Sequence, residues 1–547
     1  LAILQLLGIP HLFIAITKVF GADHDWLDLI EEEITSQLPE SLRSAVRFFR
    51  CDSVVGQGIE ELKAALFELS ETLPPRQDSG VFRLPVDRAF VIKGYGTVIT
   101  GTVLSGSIHI GDQLQVMPAG FSVRVRGLQR HGHNVPMLGI GERTAVNLVV
   151  QESAPIRRGD WLCEKNACLS SDLLTVHVQN LPDSPLLKNR DRIRLHLGTA
   201  EIIGRMLIHG QDEIPAGGSG FAQLVLEEPA TAVRGDCFIL RRYSPLLTLG
   251  GGVVLDPIPA EKRRLNDTGM ADLEKLRQSS DIEALFIKVK QAGKMGLSWL
   301  EARAFLFLPE LHLTAVVKQL EKLGQIRQLR FLDGARLVSN SVISSAQQSI
   351  LQKVRTFHRN KPELLGIRRA SLISDLSAEF PAPLLEELLT VMVSESRELI
   401  FDRGYVRCVE HTIQLDSELE TISAQIEERL QQSGFAPLTM ESLIKETRLS
   451  ETALNQVLVI MVQQGRIVRQ MDGSIWTSAN LRSAWESIKP RLSKENGRST
   501  SELRDVLSCP RRHTVAILEY FDSLGLTERR EDLRFPGRCY DDPMVFG

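Results

Sequence analysis

A chain of 547 residues, 43% hydrophobic and 24% charged, has the balance of soluble globular proteins and a length suited to roughly three to six domains. A net charge of −4 excludes a generally basic nucleic-acid binder, so any such contact must be local. Seven dispersed cysteines with no Cys-x-x-Cys pair carry no zinc or redox signature and suit a reducing cytosol, and no apolar run has the length of a membrane span.

The opening Leu1-Ala-Ile-Leu-Gln-Leu-Leu-Gly-Ile-Pro-His-Leu-Phe-Ile-Ala-Ile-Thr-Lys reads as a helix end, a buried strand, and Thr17-Lys18 at the strand's carboxyl end. Gln5, Pro10 and His11 interrupt it and no basic segment precedes it, so it is not a signal peptide. An acidic helix (25–37), a strand from Ala45, the turn Ser53-Val-Val-Gly-Gln-Gly58 and a helix from Ile59 complete a βαβα order. That order predicts part of a doubly wound α/β GTP-binding domain over 1–75. Gly-x-x-x-x-Gly-Lys-Ser/Thr occurs nowhere in the sequence, so the phosphate loop is expected upstream of Leu1 and the domain is read as a carboxyl-terminal remnant.

Residues 71–80 are polar and Pro-rich, a linker. Short strands with glycine corners then recur at roughly ten-residue spacing, which predicts one β-barrel over 76–168 and a second over 169–258. After the basic linker that starts at Glu261, a weak repeat begins at Gly296, Gly366, Ala436 and Gly497. Each unit runs short helix, turn, longer helix, and three of them continue into an apolar strand. Four winged helices are therefore expected, over 259–340, 341–412, 413–480 and 481–547.

Thr17-Lys18-Val19-Phe20 stands where guanine-binding proteins carry Asn/Thr-Lys-x-Asp, yet Phe20 accepts no hydrogen bond. Asp23 would serve only if the loop shifted, and an ordinary strand end is the competing reading. Asp87-Arg88 interrupts the apolar strand Pro85-Val-Asp-Arg-Ala-Phe-Val, where alternation predicts that one of the two points inward or toward another domain. Arg143 is the third charged candidate, and an intradomain salt bridge is the plainer alternative for all three. In the last unit, the capping pattern Ser499-Thr-Ser-Glu502 precedes the turn Ser508-Cys-Pro510 and a helix that opens Arg511-Arg512-His513. Arginines at that position reach phosphates and base edges, and Arg529, Arg530 and Arg534 are read as a basic wing. Basic and acidic residues nearly balance over 482–547, so the patch is focused, and a protein-binding winged helix is the alternative.

The segments Val86-Asp-Arg-Ala-Phe, Gly101-Thr-Val-Leu-Ser-Gly, Arg158-Gly-Asp-Trp-Leu, His196-Leu-Gly-Thr-Ala-Glu and Ile517-Leu-Glu-Tyr-Phe-Asp-Ser-Leu-Gly-Leu-Thr, with the opening decapeptide, resemble the bacterial selenocysteine-specific elongation factors in the same order. The resemblance spans the chain. It implies a cytoplasmic factor that carries selenocysteinyl-tRNA to the ribosome at a UGA codon marked by a messenger-RNA hairpin, using GTP and Mg²⁺. Asp87, Arg88 and Arg143 match positions lining the aminoacyl pocket, where cations suit a selenolate. Arg511 and Arg512, with His513 beside them, match the hairpin-reading helix, and Lys18 matches the guanine-motif lysine. Phe20 and Cys51-Asp52-Ser53 depart from the family pattern, and the family's phosphate loop, Mg²⁺-binding Thr and Asp-x-x-Gly switch would lie before Leu1, so this chain alone is expected to bind GTP negligibly and to be inactive as a GTPase. Another translation GTPase, or a non-enzymatic winged-helix nucleic-acid-binding protein, are the rival readings.

Overall fold

The computed structural model describes residues 2–541 apart from 39, 44, 75–77, 94–95, 151–154, 261–266, 397, 416, 471 and 494–495. The centres of both predicted linkers lie outside the described residues. The chain forms two compact units, one up to Val342 and one from Ile343.

In the first unit, β1 (Leu12–Thr17) pairs in parallel with β2 (Val46–Cys51), flanked by α2 (His24–Gln37) and α3 (Ile59–Thr72). The near-continuous apolar run of β1 suits a parallel strand. The short helix α1 (Ala2–Leu6) lies beside two strands of the second barrel, β13 (Cys237–Arg242) and β14 (Thr248–Asp256).

The first barrel consists of β3 (Arg83–Ile92), β4 (Gly96–Thr102), β5 (Gln113–Met117), β6 (Phe121–Arg130), β7 (Arg143–Val150) and β8 (Trp161–Glu164). All its pairs are antiparallel in the order β7-β4-β3-β8-β5-β6, and β6 pairs back onto β7 to close the ring. Alternation fills it: Leu84, Val86, Ile99, Val146 and Leu148 point into one apolar core. The second barrel closes in the order β9-β12-β11-β10-β13-β14, where β9 is Ser170–Asn180, β10 Arg192–Leu197, β11 Ala200–His209 and β12 Ser219–Thr231.

From Asp267 onward helices dominate. The helix α4 (Asp281–Ala292) and the pair α5 (Trp299–Leu306) and α6 (Glu310–Lys322) pack on a three-stranded sheet built by Leu297–Ser298, Ile326–Phe331 and Gly334–Ser339. Capping boxes at Ser280–Glu283 and Ser298–Glu301 start two of these helices. In the second unit, helix pairs recur at Arg369–Leu376 with Ala382–Val391, at Met440–Thr447 with Glu451–Gln463, and at α7 (Thr500–Leu507) with α8 (Arg511–Ser523). Each pair is joined by its own two- or three-stranded sheet. The unit beginning near Gly366 does carry a hairpin, Leu399–Asp402 with Tyr405–Cys408, which the sequence pattern missed.

Beside that hairpin, His358 is 9% exposed, its ring stacks on His411 with centroids 3.6 Å apart, and its Nε2 accepts the Cys408 amide at 3.2 Å. Burial, then the neighbouring His411 and Arg407, push its pKa down to about 4. The unfolded chain therefore binds a proton that the native state refuses between about pH 6.5 and 4, so stability falls as pH drops through that window. Unfolding by urea at pH 7 and at pH 4.5 should show a loss on the order of 2 kcal/mol attributable to this residue. The loss should shrink by that amount in His358→Phe, and an identical pH dependence in both proteins would refute the assignment.

Candidate functional site

The Asp87 and Arg88 side chains are placed by a defect in β3. Val86 pairs with Gly101 and Arg88 with Thr100, so Asp87 is an extra residue, a β-bulge. The bulge resets the alternation. Leu84 and Val86 face the core, but the next inward residue is Ala89, which packs on the same core. Both Asp87 and Arg88 therefore lie on the outer face, which corrects the inward half of the expectation that one of them points inward or toward another domain. Gly101 is required there, because a Cβ would lie 2.3 Å from the Pro85 carbonyl oxygen.

Arg143, at the start of β7, reaches across β4 and donates from Nη2 to Asp87 Oδ2 at 3.1 Å, while the Thr100 hydroxyl donates to Oδ1. Both carboxylate oxygens are thus occupied, and the plainer reading, an intradomain ion pair, describes Asp87 with Arg143. Arg88 is exposed and forms no ion pair with a described residue. One uncompensated guanidinium beside a neutralised pair leaves a local positive site on an open barrel face. Thr100 escaped the sequence reading, although Gly101-Thr-Val-Leu-Ser-Gly lay next to it.

In the last unit, Arg511 and Arg512 open α8, are exposed, and have no carboxylate partner among the described residues. His513 is half-buried, and its Nδ1 is buried without a described partner. The predicted capping box forms: the Ser499 amide donates to Glu502 Oε2 at 2.9 Å, and the Glu502 amide returns to Ser499 Oγ at 3.3 Å. The Ser499 amide, the Arg498 guanidinium and the Ser499 hydroxyl, all donating to the carboxylate, hold the Glu502 pKa down at about 2. The basic wing needs correction. Arg534 is 2% exposed, its Nε donates to Asp522 at 3.0 Å and its Nη1 to the Thr500 hydroxyl at 3.0 Å. It clamps the strand to both helices. Arg529 and Arg530 are exposed but lie near Asp532 and Glu528.

Thr17 and Lys18 end β1, and both are exposed. The two acidic residues of the neighbouring loops, Asp23 and Asp52, are each engaged with backbone amides. Asp23 caps α2 by accepting the Asp25 amide at 3.1 Å. Asp52 accepts the amides of Val54, Val55 and Phe20 at 2.9, 3.3 and 3.3 Å, which hold its carboxyl below the usual range. Phe20 is 69% exposed. Phe20 offers a guanine edge no acceptor, and Asp23 and Asp52 both accept backbone amides. Among the described residues no group of His, Cys, Asp or Glu could hold a metal ion, and no helix is long and apolar enough to cross a membrane.

Three segments match described families. Residues 96–163 match elongation factor Tu domain 2, residues 172–261 the beta-barrel domain of selenocysteine-specific elongation factor, and residues 491–535 the winged helix of elongation factor SelB. The selenocysteine-specific elongation factor of Desulfomicrobium baculatum is 30% identical over 538 residues, covering 98% of this chain and 84% of the relative. That of Escherichia coli K12 is 28% identical, covering 97% and 82%. The crystal structure of bacterial EF-Sec has the same fold, with a TM-score of 0.64 at 23% identity over 98% of this chain and 83% of that one. With translation-factor barrels, a carboxyl-terminal winged helix and this identity along nearly its whole length, the chain belongs to the selenocysteine-specific elongation factors.

Proposed function

We propose that this chain carries selenocysteinyl-tRNA to the ribosome in the cytoplasm and is directed to UGA codons by a messenger-RNA hairpin bound at α8. The Asp87–Arg88–Arg143 cluster receives the aminoacyl end. A selenolate is anionic where serine is neutral, so an uncompensated cation at Arg88, beside the paired Arg143, favours the correct amino acid. The helix pairs with small sheets are read as four winged helices, of which the last binds RNA. Guanine nucleotide and Mg²⁺ belong with the family, while Phe20 stands where that loop would need a carboxylate for guanine.

The observation that carries this reading is the pair of exposed arginines at the amino end of α8, which have no carboxylate partner among the described residues. RNA loops are read by side chains that reach phosphates and unstacked bases. With near-balanced charge around it, the site should make few phosphate contacts and show a modest salt dependence. Replacing Arg511 and Arg512 together by alanine should weaken binding of the full chain to the host's selenoprotein hairpin by about 2 kcal/mol or more. The fold should be retained, since neither side chain is buried. Equal affinity of the wild-type chain and a folded double variant in a titration would remove these arginines from the site.

A further inference from the structure

The bulge that presents Asp87 and Arg88 is held from outside its own barrel. Val86, the residue before it, donates its amide to Asp160 O at 2.8 Å and accepts the Gly159 amide at 3.1 Å. Its carbonyl takes a second hydrogen bond, 2.7 Å long, from the hydroxyl of Thr199 in the second barrel. Thr199 lies in the tight turn between β10 and β11, within the segment His196-Leu-Gly-Thr-Ala-Glu. Two glycines let that turn reach its neighbour. Gly198 has φ +57° and a Cβ there would sit 2.7 Å from the Trp161 ring, while a Cβ on Gly159, at φ +98°, would sit 3.2 Å from Ala200 Cα. The two barrels therefore touch backbone to backbone at the base of the bulge.

We propose that Thr199 is a positioning residue for amino-acid discrimination: by fixing the Val86 carbonyl, it sets where the bulge presents Asp87 and Arg88. The inference rests on the aminoacyl role proposed above for that cluster. A bulge lacks the regular ladder that fixes an ordinary strand residue, so its geometry depends on outside contacts. Asp87 is tied to Thr100 and Arg143 on one side, and Val86 to Thr199 on the other. Loss of the Thr199 hydroxyl leaves the Gly159 bond to the same carbonyl, so the barrel stays folded while the bulge loses its second anchor. The freed motion falls on the side chains that distinguish a selenolate from a hydroxyl.

The test is the ratio of affinities of the full chain for selenocysteinyl-tRNA and seryl-tRNA, measured by protection of the aminoacyl ester from hydrolysis. Thr199→Val, which keeps the shape and removes the hydroxyl, should cut the ratio about fivefold, the effect of one hydrogen bond. Thr199→Ser, which keeps the hydroxyl, should restore it. A purely structural role would change the thermal midpoint or both affinities together and leave the ratio alone. If Arg88→Ala loses the preference and Thr199→Val keeps it, the positioning role is overturned and the aminoacyl site stands. If the wild-type chain shows no preference, or Arg88→Ala leaves it unchanged, the aminoacyl reading falls and the role of Thr199 falls with it.

Discussion

Replacing Arg83 by alanine should destabilise the first unit by about 3–5 kcal/mol, the cost of stranding a buried charge. The Arg83 guanidinium meets Asp236 in a two-pronged pair, Nη1 to Oδ2 at 2.8 Å and Nη2 to Oδ1 at 2.6 Å, with side chains 14% and 10% exposed. Its flat faces lie against Trp161 and Phe307, with ring centroids 5.3 and 5.2 Å away. Arg83 and Trp161 belong to the first barrel, Asp236 to the second, and Phe307 to the helical segment that follows. One side chain thus ties three parts of the unit together. Alanine would leave the Asp236 carboxylate, 10% exposed, with the Val233 amide as its remaining hydrogen bond among the described residues. Urea unfolding followed by tryptophan fluorescence reports the loss directly. The double variant Arg83→Met, Asp236→Leu should recover much of it, because it removes the unpaired charge along with the pair. A single-variant loss below about 1 kcal/mol would place the pair in the class of solvent-screened surface bridges.

A loss of similar size, about 3–5 kcal/mol, is expected for Lys288→Ala. Lys288, on α4, is 5% exposed, and Asp256, at the end of β14, is 3% exposed. The ammonium donates to Asp256 Oδ2 at 2.6 Å and to the Ile258 carbonyl at 2.7 Å, and lies 5.3 Å from the centre of the Phe305 ring. Without it, the carboxylate keeps, among the described residues, the Ile258 amide on its other oxygen, at 3.0 Å. This bond set anchors the helical segment to the second barrel, so the loss should be regional. Hydrogen exchange should quicken in 281–292 and 299–306 while the centre of the first barrel stays protected. Uniform exchange across the unit, or none, would contradict a localised anchor.

Both anchors were beyond the reach of the sequence. Arg83 and Asp236 are 153 residues apart, and nothing local marks either as buried. The barrels were legible because glycine corners and strand alternation are local signals, and the helix pairs because caps and apolar stripes are local too. The same dependence on local signal explains the misses. The Leu399–Cys408 hairpin consists of four-residue strands joined at Arg403 and Gly404, both with positive φ, and an arginine does not announce such a turn. Arg534 reads as a solvent-facing wing residue until Asp522 and Thr500 are brought to it. In the candidate site, the residue types at 87, 88 and 143 were legible as charges out of place. Their common outward face was not, since one extra residue in a strand changes parity without leaving a composition signal.

That parity change means β3 is constrained in length more tightly than in identity. A substitution at Asp87 leaves every later side chain of the strand on its present face. Loss of one residue between Val86 and Ala89 would close the bulge and leave Ala89 facing the core, but only one outward side chain would then stand between these two core residues, where the bulge now presents both Asp87 and Arg88. Within this short stretch, lineages of the protein can drift in sequence but not in spacing, so insertions and deletions should be confined to the hairpin end beyond Ile92.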